Sequence, residues 1–396
     1  MSDDTGSQTG GFILSEGMVE LEIQPSGGNR GPGIRNGVFF NPAMVENRDM
    51  SILLMQVFAD SGILPGRTVI SILDGLTGSG VRALRFEKEV SWGEKNHRIV
   101  GNDRDRMAVE NARENARRNS LDIEFINEDL SSHLTSTRYS YIDVDPFGSP
   151  VPFIDQAVRS VLSGGILAVT ATDTAALTGS IPRVARRRYG ISLRKTSYMH
   201  ETSCRALMGY IARSAAVHEI GADPVFFYSS DHFLRGYVRL RKGAGRADSS
   251  LKEIGYLIDD PPDRPVPARS LQEIGDKGKG CTVMGPLWLG PLADREIMEE
   301  LNSHIERSGD RLTNIGSLKR IKEMIRRTLA EIEAPPGGFD IDSLSSKWKI
   351  QQPAADKIVE DLRNLGYHAS RSRFSNKLIR TDAEMDTMRK VMMGEG

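Results

Sequence analysis

The sequence predicts an α/β fold with a mostly parallel, doubly wound, Rossmann-like sheet, followed by a smaller C-terminal α+β unit. Between residues 67 and 173, short apolar segments rich in β-branched residues alternate five times with segments of helical character. This alternation requires a mostly parallel sheet with helices on both faces. Asp74, Asp103, Asp129 and Asp145 all lie at the ends of predicted strands. In such sheets, ligands bind at the carboxyl ends of the strands.

The individual elements follow from the spacing of apolar residues. The five strands are predicted within residues 67–74, 97–105, 122–129, 139–147 and 166–173. Helices are predicted within residues 41–62, 81–90, 106–120 and 153–162. In the third of these helices, Ala and Val line one side and charged residues the other, which is typical of a helix packed on a sheet.

The second half of the chain is less regular. Residues 224–243 predict one or two further strands, and residues 243–282, rich in Gly, Pro and charge, predict an insertion or long loop. Helices are predicted from Asp294 to Ile332. After the APPGG breaker the pattern is helix–helix–strand, which indicates a small winged-helix-like domain. We therefore place a domain boundary between residues 292 and 293.

Composition restricts the class of protein. The 396 residues suffice for two hydrophobic cores. No apolar run reaches the roughly 18 residues that span a bilayer, and no signal peptide is evident, so we expect no membrane partner. The two cysteines, Cys204 and Cys281, form neither a disulfide framework nor a Cys-x-x-Cys metal motif. We expect two free thiols, a cytoplasmic location and no bound metal.

Charge is distributed unevenly although the formal net charge is only −1. From Arg183 to Arg246 there are thirteen Lys plus Arg against four Asp plus Glu, a net of +9, and from Lys347 to Arg380 eight against three, a net of +5. Such regions are typical of a phosphate-binding face, but also of solvated helices. We expect the cluster at residues 183–195 to bind phosphates, with Arg371, Arg373 and Lys377 as the alternative.

The strand-end residues predict a nucleoside ligand. In DGLTGSG, Gly75, Gly78 and Gly80 permit a tight turn and close approach to the backbone, although such a loop alone is weak evidence. Asp74 is placed to bind an ammonium group. Asp103 follows Gly80 by 23 residues, the spacing of an acid that accepts ribose hydroxyls.

Two further acids belong to this pattern. Asp105 competes with Asp103 but is better suited to cap the following helix. Asp129 ends the third strand, where a carboxylate can accept the adenine amino group. A ligand that combines ammonium, ribose and adenine is S-adenosylmethionine, which we predict as the cofactor.

The stretch YIDVDPFGSP, residues 141–150, predicts the chemistry. It resembles the Asp/Asn-Pro-Pro-Tyr/Phe motif of methyltransferases that act on exocyclic amino groups. The lone pair of such an amino nitrogen is delocalised into the ring. Asp145 and the carbonyl of Pro146 can each accept one N–H, which favours a tetrahedral nitrogen. Phe147 provides a face on which the base stacks, worth about 1–3 kcal/mol.

Longer matches identify a family. The sequence resembles archaeal-type tRNA (guanine-26) N2-dimethyltransferases over nearly its whole length. The resemblance rests on residues 38–49, 73–86, 102–105, 141–150, 165–173, 230–238 and 285–291. It implies a class I methyltransferase fold, S-adenosylmethionine as methyl donor and tRNA as partner. Residues 1–292 would form the catalytic domain and residues 293–396 a tRNA-binding domain.

The resemblance also implies roles for single residues. Arg48, Arg82, Asp103, Asp129 and Leu130 would contact the cofactor. Asp145 would be the catalytic acceptor, while Phe39 and Phe147 would sandwich the guanine. Some family members carry a four-cysteine zinc cluster before GPLW, but here only Cys281 lies in that region.

Other classes share parts of this pattern. A nicotinamide-dependent oxidoreductase would use the sheet but not Asp-Pro-Phe-Gly, and a non-catalytic RNA-binding module would not need the strand-end acids. An amino-methyltransferase that acts on rRNA or on a DNA base shares the chemistry and is the nearest alternative.

Overall fold

The structure is a computed structural model that describes residues 12–23, 38, 40–66, 68–230, 232–261, 263–275, 278 and 280–395. The chain divides into two compact units. The first comprises residues 1–145, 160–166 and 303–321, and the second comprises residues 146–159, 167–302 and 322–396. The first change from one unit to the other therefore falls directly after Asp145.

The first unit begins with an antiparallel hairpin of β1 (Phe12–Glu16) and β2 (Val19–Ile23), which the sequence did not predict. A 3-10 helix, Pro42–Met44, leads into α1 (Val45–Ser61). This helix confirms the prediction for residues 41–62. It ends at Gly62, whose φ of 65° is the left-handed conformation that closes many helices.

Seven strands form the main sheet in the order β5-β4-β3-β6-β7-β9-β8. They are β3 (Ile70–Asp74), β4 (His97–Asn102), β5 (Glu124–Ile126), β6 (Tyr139–Val144), β7 (Val161–Ala171), β8 (Ile220–Ser230) and β9 (Phe233–Lys242). Strand β3 pairs in parallel with β4 and β6, β4 pairs in parallel with β5, and β8 pairs antiparallel with β9. The five predicted strands are confirmed as β3 to β7.

Helices follow the first four of these strands: α2 (Val81–Glu89), α3 (Arg106–Arg118), α4 (Leu130–His133) and α5 (Val151–Ser160). Every residue of β6 is buried, as expected for a parallel strand covered on both faces. The strand order reverses between β3 and β6, which is where such sheets bind ligands. The glycine loop after β3 and the segment after β6 therefore begin at this switch point.

In the second unit, α6 (Thr174–Leu177), α7 (Pro182–Tyr189) and α8 (Met199–Ala216) follow β7. Residues 243–282, predicted as an insertion or long loop, instead contain regular elements. These are α9 (Ala244–Lys252), β10 (Ile254–Asp259), β11 (Val266–Ala268) and α10 (Leu271–Ile274). With β12 (Thr282–Trp288) the strands form a sheet in the order β11-β10-β12. The long-loop alternative is therefore wrong, because Gly and Pro punctuate short strands as well as loops. The insertion alternative stays a prediction.

The remaining elements complete the chain. They are α11 (Arg295–Ser308), α12 (Leu318–Glu331), β13 (Phe339–Asp340), α13 (Ile341–Trp348), α14 (Ala355–Asn364), β14 (Ala369–Arg371), β15 (Leu378–Thr381) and α15 (Met385–Met393). The last three strands pair in the order β13-β15-β14. Their core includes Leu344, Ile358, Leu362 and Ile379. This small α+β arrangement confirms the predicted pattern, to which β13 and α15 are unpredicted additions.

The described residues contain neither a membrane-spanning helix nor a metal-holding cluster. None of their helices is long and apolar enough to cross a membrane. Within the same residues, no group of three or more His, Cys, Asp or Glu side chains is placed to hold a metal ion.

Candidate active site

Three carboxylates at the ends of β3 and β6 converge on one arginine. Arg82, in the first turn of α2, donates from Nη2 to Asp145. Its Nε lies 3.6 Å from Asp143 Oδ2 and 4.0 Å from Asp74 Oδ1. Asp74, Asp143 and Arg82 are buried, whereas the Asp145 side chain retains 18% exposure. Asp145 is thus the member of the group that stays open to a ligand.

The guanidinium of Arg82 is held on its other side by α1. Its Nη1 donates to Asn47 Oδ1 over 3.1 Å and to Ser51 Oγ over 2.7 Å. The resemblance implied a cofactor contact for Arg82, and the geometry adds a second role, that of orienting Asp145. Sequence reasoning assigned no role to Asp143, although an acid inside a wholly buried strand is a signal for one.

One arginine does not neutralise three carboxylates. Burial raises the pKa of Asp74 to about 6, against the attraction of Arg82 and with a further contribution from the charge of Asp143. Thr77 Oγ1 donates to Asp74 over 2.7 Å and keeps the carboxyl oriented. The surplus negative charge suits a cationic group of a ligand.

The glycine loop packs tightly against the end of β6. Gly75 N–H donates to the carbonyl of Asp143 over 3.0 Å, and a Cβ at Gly75 would lie 2.8 Å from that oxygen. Gly80, with φ 82°, is the residue from which α2 starts. Only glycine fits both positions without displacing the backbone. The loop predicted from Gly75, Gly78 and Gly80 therefore lies beside the β6 end.

The acids after β4 and β5 bind backbone amides rather than a cation. Asp103 accepts from Gly78 N–H over 3.0 Å and from Asp105 N–H over 2.9 Å. Burial raises its pKa, although these two amide bonds oppose the shift. Asp105 caps α3 by accepting from Met107 N–H, as predicted, and Asp129 caps α4 by accepting from Ser132 N–H. Asp103 thus connects the glycine loop to the end of β4.

Leu130 and Arg48, which the resemblance also names, are both buried. Leu130 opens α4 and is buried, and a Cβ added at Gly75 would lie 3.0 Å from each of its Cδ atoms. Arg48 is buried, donates from Nε to Glu16 over 2.6 Å, and stacks 5.1 Å above the Phe40 ring. Phe39 lies outside the described residues, so its predicted contact with guanine stays a prediction.

The segment after Asp145 presents an aromatic ring. Phe147 is 64% exposed, a large fraction for a phenylalanine. The next residue, Gly148, has φ 105° and is bound twice to Thr172: its N–H donates to Thr172 Oγ1 over 2.6 Å, and its carbonyl accepts from Thr172 N–H over 2.9 Å. The loop therefore displays Phe147 from a fixed backbone.

The two basic regions differ in exposure. Arg183, Arg186 and Arg187 of α7 are exposed, and within the described residues neither Arg186 nor Arg187 forms an ion pair. Arg188 instead lies 2.9 Å from Asp173.

The arginines of the C-terminal region are largely used internally. Arg373 is bound by Glu331 and by Thr328, and Arg380 by Glu201. Arg371 and Lys377 lie near Asp356 and Asp342. The buried Arg373 is thus unsuited to the alternative role in phosphate binding.

Known proteins resemble this chain over most of its length. A model of the family described as N2,N2-dimethylguanosine tRNA methyltransferase matches residues 31–393. The tRNA (guanine(26)-N(2))-dimethyltransferase of Methanothermobacter thermautotrophicus is 35% identical over 369 residues, 91% of this chain and 93% of the relative. That of Aeropyrum pernix is 35% identical over 365 residues, 87% and 86% of the two chains.

A solved structure is similar over the same extent. Trm1 from Pyrococcus horikoshii, in complex with S-adenosyl-L-methionine, superimposes with a TM-score of 0.83 at 28% identity. The similarity covers 96% of this chain and 99% of that one. The predicted α/β fold is confirmed along almost the whole chain.

Proposed function

Because the chain belongs to the N2,N2-dimethylguanosine tRNA methyltransferase family, we propose that Asp145, Pro146 and Phe147 carry out its reaction. The protein is an S-adenosylmethionine-dependent enzyme that methylates the exocyclic N2 of guanine-26 in tRNA, giving N2-methyl- and N2,N2-dimethylguanosine. One observation supports the residue assignment above others. The partly exposed Asp145 carboxylate is oriented by a buried arginine at the switch point of the sheet and is followed by the exposed Phe147.

The residues at the strand ends fit the cofactor. Surplus negative charge around Asp74 and Asp143 suits the ammonium and sulfonium groups, and Asp103 suits the ribose hydroxyls. Asp129 and Leu130 would border the adenine, and Gly75, Gly78 and Gly80 bring backbone close to the ligand. Arg48 would also contact the cofactor. When bound, S-adenosylmethionine supplies the methyl group on a cationic sulfur that leaves as a neutral thioether.

Asp145 and Pro146 prepare the nucleophile. The Asp145 carboxylate and the Pro146 carbonyl each accept one N–H of guanine N2, which turns the nitrogen lone pair out of conjugation. The lone pair then forms the new N–C bond as the C–S bond breaks. Asp145 accepts the proton that the nitrogen loses. This in-line displacement needs positioning and charge placement rather than a covalent enzyme intermediate.

Phe147 acts on the base itself. Guanine-26 must leave the tRNA stack before its N2 reaches the carboxylate. Stacking on an exposed phenylalanine compensates for part of the lost base stacking, at about 1–3 kcal/mol per base. We keep Phe39 as the proposed second face of this sandwich.

Basic side chains bind the phosphates of the tRNA backbone in this proposal. Arg186 and Arg187 on α7 are exposed, which supports the phosphate contact proposed for this cluster. We also keep residues 293–396 as the proposed tRNA-binding domain and residues 1–292 as the catalytic domain. A cytoplasmic location is part of the same proposal.

The assignment of substrate and atoms is tested by nucleoside mass spectrometry after incubation with labelled S-adenosylmethionine. Three substrates are compared side by side: transcribed tRNA, the same tRNA with adenine at position 26, and mixed rRNA and DNA. We expect N2-methylated guanosine only from the first tRNA. Label in rRNA or DNA, with none in tRNA, would establish the alternative amino-methyltransferase activity instead.

The grip is tested by the salt dependence of tRNA binding. Each neutralised phosphate contributes about −0.7 to −0.9 to the slope of log K against log salt. Replacing Arg186 and Arg187 together by Gln should flatten the slope by about 1.4 to 1.8 and leave S-adenosylmethionine binding unchanged. The Arg371→Gln variant serves as the C-terminal comparison. An unchanged slope in the double variant, with a reduced slope in Arg371→Gln, would move the grip to the C-terminal domain.

A further inference from the structure

The fifth predicted strand also ends in an acid, Asp173, for which the proposed reaction has no use. Asp173 occupies the N-cap position of α6, but its side chain does not cap that helix. Instead, Oδ1 accepts from the Tyr189 hydroxyl over 2.8 Å and Oδ2 lies 2.9 Å from Arg188 Nη1. Both partners belong to the last turn of α7. A purely local capping role therefore does not explain this carboxylate.

The chain of hydrogen bonds continues into the loop of Phe147. Ser149 Oγ lies 3.0 Å from the Tyr189 hydroxyl oxygen. Because a tyrosine hydroxyl has one hydrogen, and Asp173 receives it, Ser149 must be the donor to Tyr189. The direction of the chain is thus Ser149 to Tyr189 to Asp173. Tyr189 is fully buried, and burial together with the nearby Asp173 charge raises its pKa, so the hydroxyl keeps its proton.

Two consecutive residues after β7 hold two consecutive residues of the loop. Thr172 binds both backbone groups of Gly148, and Asp173 binds Ser149 through Tyr189. The held residues directly follow Phe147. Since 64% of Phe147 is exposed, burial in a core contributes little to its orientation. Gly148, at φ 105°, has the most backbone freedom to lose in this loop.

We propose that Asp173 and Tyr189 are positioning residues for methyl transfer, which hold residues 146–150 so that Phe147 receives the flipped guanine. This inference rests on the proposed function of Phe147. The same network joins the loop to α7, whose Arg186 and Arg187 are the proposed phosphate contacts. The residues that bind the tRNA backbone and the ring that stacks on guanine are thereby connected to the same hydrogen-bond network. A small displacement of this network should lower the rate of methyl transfer steeply.

The experiment uses the full-length protein with Tyr189→Phe, which removes one oxygen and keeps the buried ring, and Ser149→Ala as a milder variant. Tyr139→Phe is the matched control, because Tyr139 is another buried tyrosine and its hydroxyl lies 2.7 Å from His133 Nε2, in the first unit. For each protein, the Kd for S-adenosylmethionine, the Kd for tRNA and the single-turnover methylation rate are measured. A tRNA with 2-aminopurine at position 26 reports stacking by fluorescence.

We expect Tyr189→Phe to lower the single-turnover rate by about tenfold or more, with both dissociation constants within about threefold of the parent. The 2-aminopurine quenching should weaken. In the Phe147→Ala background, Tyr189→Phe should have no further effect on rate, because the residue acts through Phe147. The Tyr139→Phe control should behave as the parent.

The proposal is overturned if Tyr189→Phe and Ser149→Ala both transfer methyl groups at the parent rate. It is also overturned if the effect of Tyr189→Phe adds in full to that of Phe147→Ala. Should Tyr189→Phe fail to fold, Ser149→Ala decides alone by the same two criteria. Failure of the proposed function has a different signature, since then the parent and Tyr139→Phe would also leave guanine-26 unmethylated.

Discussion

Two groups of aspartates at the ends of the parallel strands are neutralised in different ways. Asp74, Asp143 and Asp145 share the single guanidinium of Arg82. The acids on the adjoining strands instead bind backbone N–H groups. These are Asp103 at Gly78 and Asp105, Asp105 at Met107, and Asp129 at Ser132. We call the two sets the Arg82 group and the amide-bound group.

In the proposed function, this difference corresponds to the two ends of S-adenosylmethionine. Three carboxylates on one arginine leave surplus negative charge in a buried place, which favours the cationic methionine end of the cofactor. Backbone amides satisfy a carboxylate without a counter-charge, which leaves lone pairs for the neutral hydroxyl and amino donors of a nucleoside. Charge therefore matters in the Arg82 group and geometry in the amide-bound group, and substitutions should separate the two.

The largest effect should come from Asp145, the member of the Arg82 group that we propose as the acceptor of the guanine N–H. Asp145→Ala should lower the rate of methyl transfer by at least about 10²-fold while the Kd for S-adenosylmethionine stays within severalfold, because its contact with guanine strengthens in the transition state. Single-turnover kinetics and calorimetry measure the two quantities. Loss of cofactor binding together with a high residual rate would show that Asp145 is not the acceptor.

Asp103 should show the opposite behaviour for the amide-bound group. Asp103→Ala should weaken S-adenosylmethionine binding by roughly 1.5–3 kcal/mol, the scale of hydrogen bonds to a charged group. That corresponds to about 10- to 150-fold in Kd, with little change in rate at saturating cofactor. A normal Kd by calorimetry would remove the ribose role from Asp103.

The pH dependence of cofactor binding should distinguish the groups by charge. Asp74 has a pKa of about 6 in the free protein, and a bound ammonium favours its ionised form. Binding therefore releases a proton near pH 6, and the affinity should be about tenfold lower at pH 5 than at pH 7. Asp74→Asn should bind more weakly and lose this difference. An Asp74→Asn protein with the parent's pH profile would contradict the assignment.

The same raised pKa has a defined sign for folding. The pKa of Asp74 in the folded chain lies above its ordinary value of 3.8, so the folded chain binds this proton more tightly than the unfolded chain does. Its contribution to stability is therefore complete below about pH 4 and is lost as the pH rises through about 6. Urea unfolding of Asp74→Asn against the parent should show a difference that shrinks towards low pH.

The smallest effect should come from Asp105, whose carboxylate caps α3. Asp105→Ala should lower the free energy of unfolding by about 1 kcal/mol and leave the Kd for S-adenosylmethionine within about twofold, because Asp103 still receives the backbone N–H of residue 105. Urea unfolding and calorimetry on one preparation check both values. A large loss of affinity with unchanged stability would make Asp105, not Asp103, the ribose ligand.

Periodicity and local chemistry explain why so much of the fold was predictable. Strands covered on both faces give mostly apolar segments such as Ile70–Asp74, and the glycine loop that leads into α2 follows this strand directly in the sequence. The cap at Asp105 was likewise predictable, since it involves residues two apart. The hairpin of β1 and β2 was missed. The buried residues Val19, Leu21 and Ile23 alternate along β2, but this strand of five residues is too short for the alternation to predict a strand clearly.

Charge counts failed where local chemistry succeeded. Both basic regions are positive by count, yet α7 exposes Arg186 and Arg187, whereas Arg373 and Arg380 are buried and bound to glutamates. The sequence does not distinguish an exposed arginine that could bind a phosphate from an arginine that is paired with a buried glutamate. Only the position of the acid partner, 42 residues away for Arg373, distinguishes them.

The sequence by itself determined where the chemically important residues lie along the chain. It showed which strands end in acids, where the glycine loop lies, and that an acid–proline–aromatic segment follows β6. These features are local, because each depends on residues within one turn or strand. The tertiary structure alone decided that Arg82 serves Asp145, that Asp143 belongs to the group, and that Tyr189 connects Ser149 to Asp173. Such pairings join residues tens of positions apart, and the packing of helices on the sheet sets which of them meet.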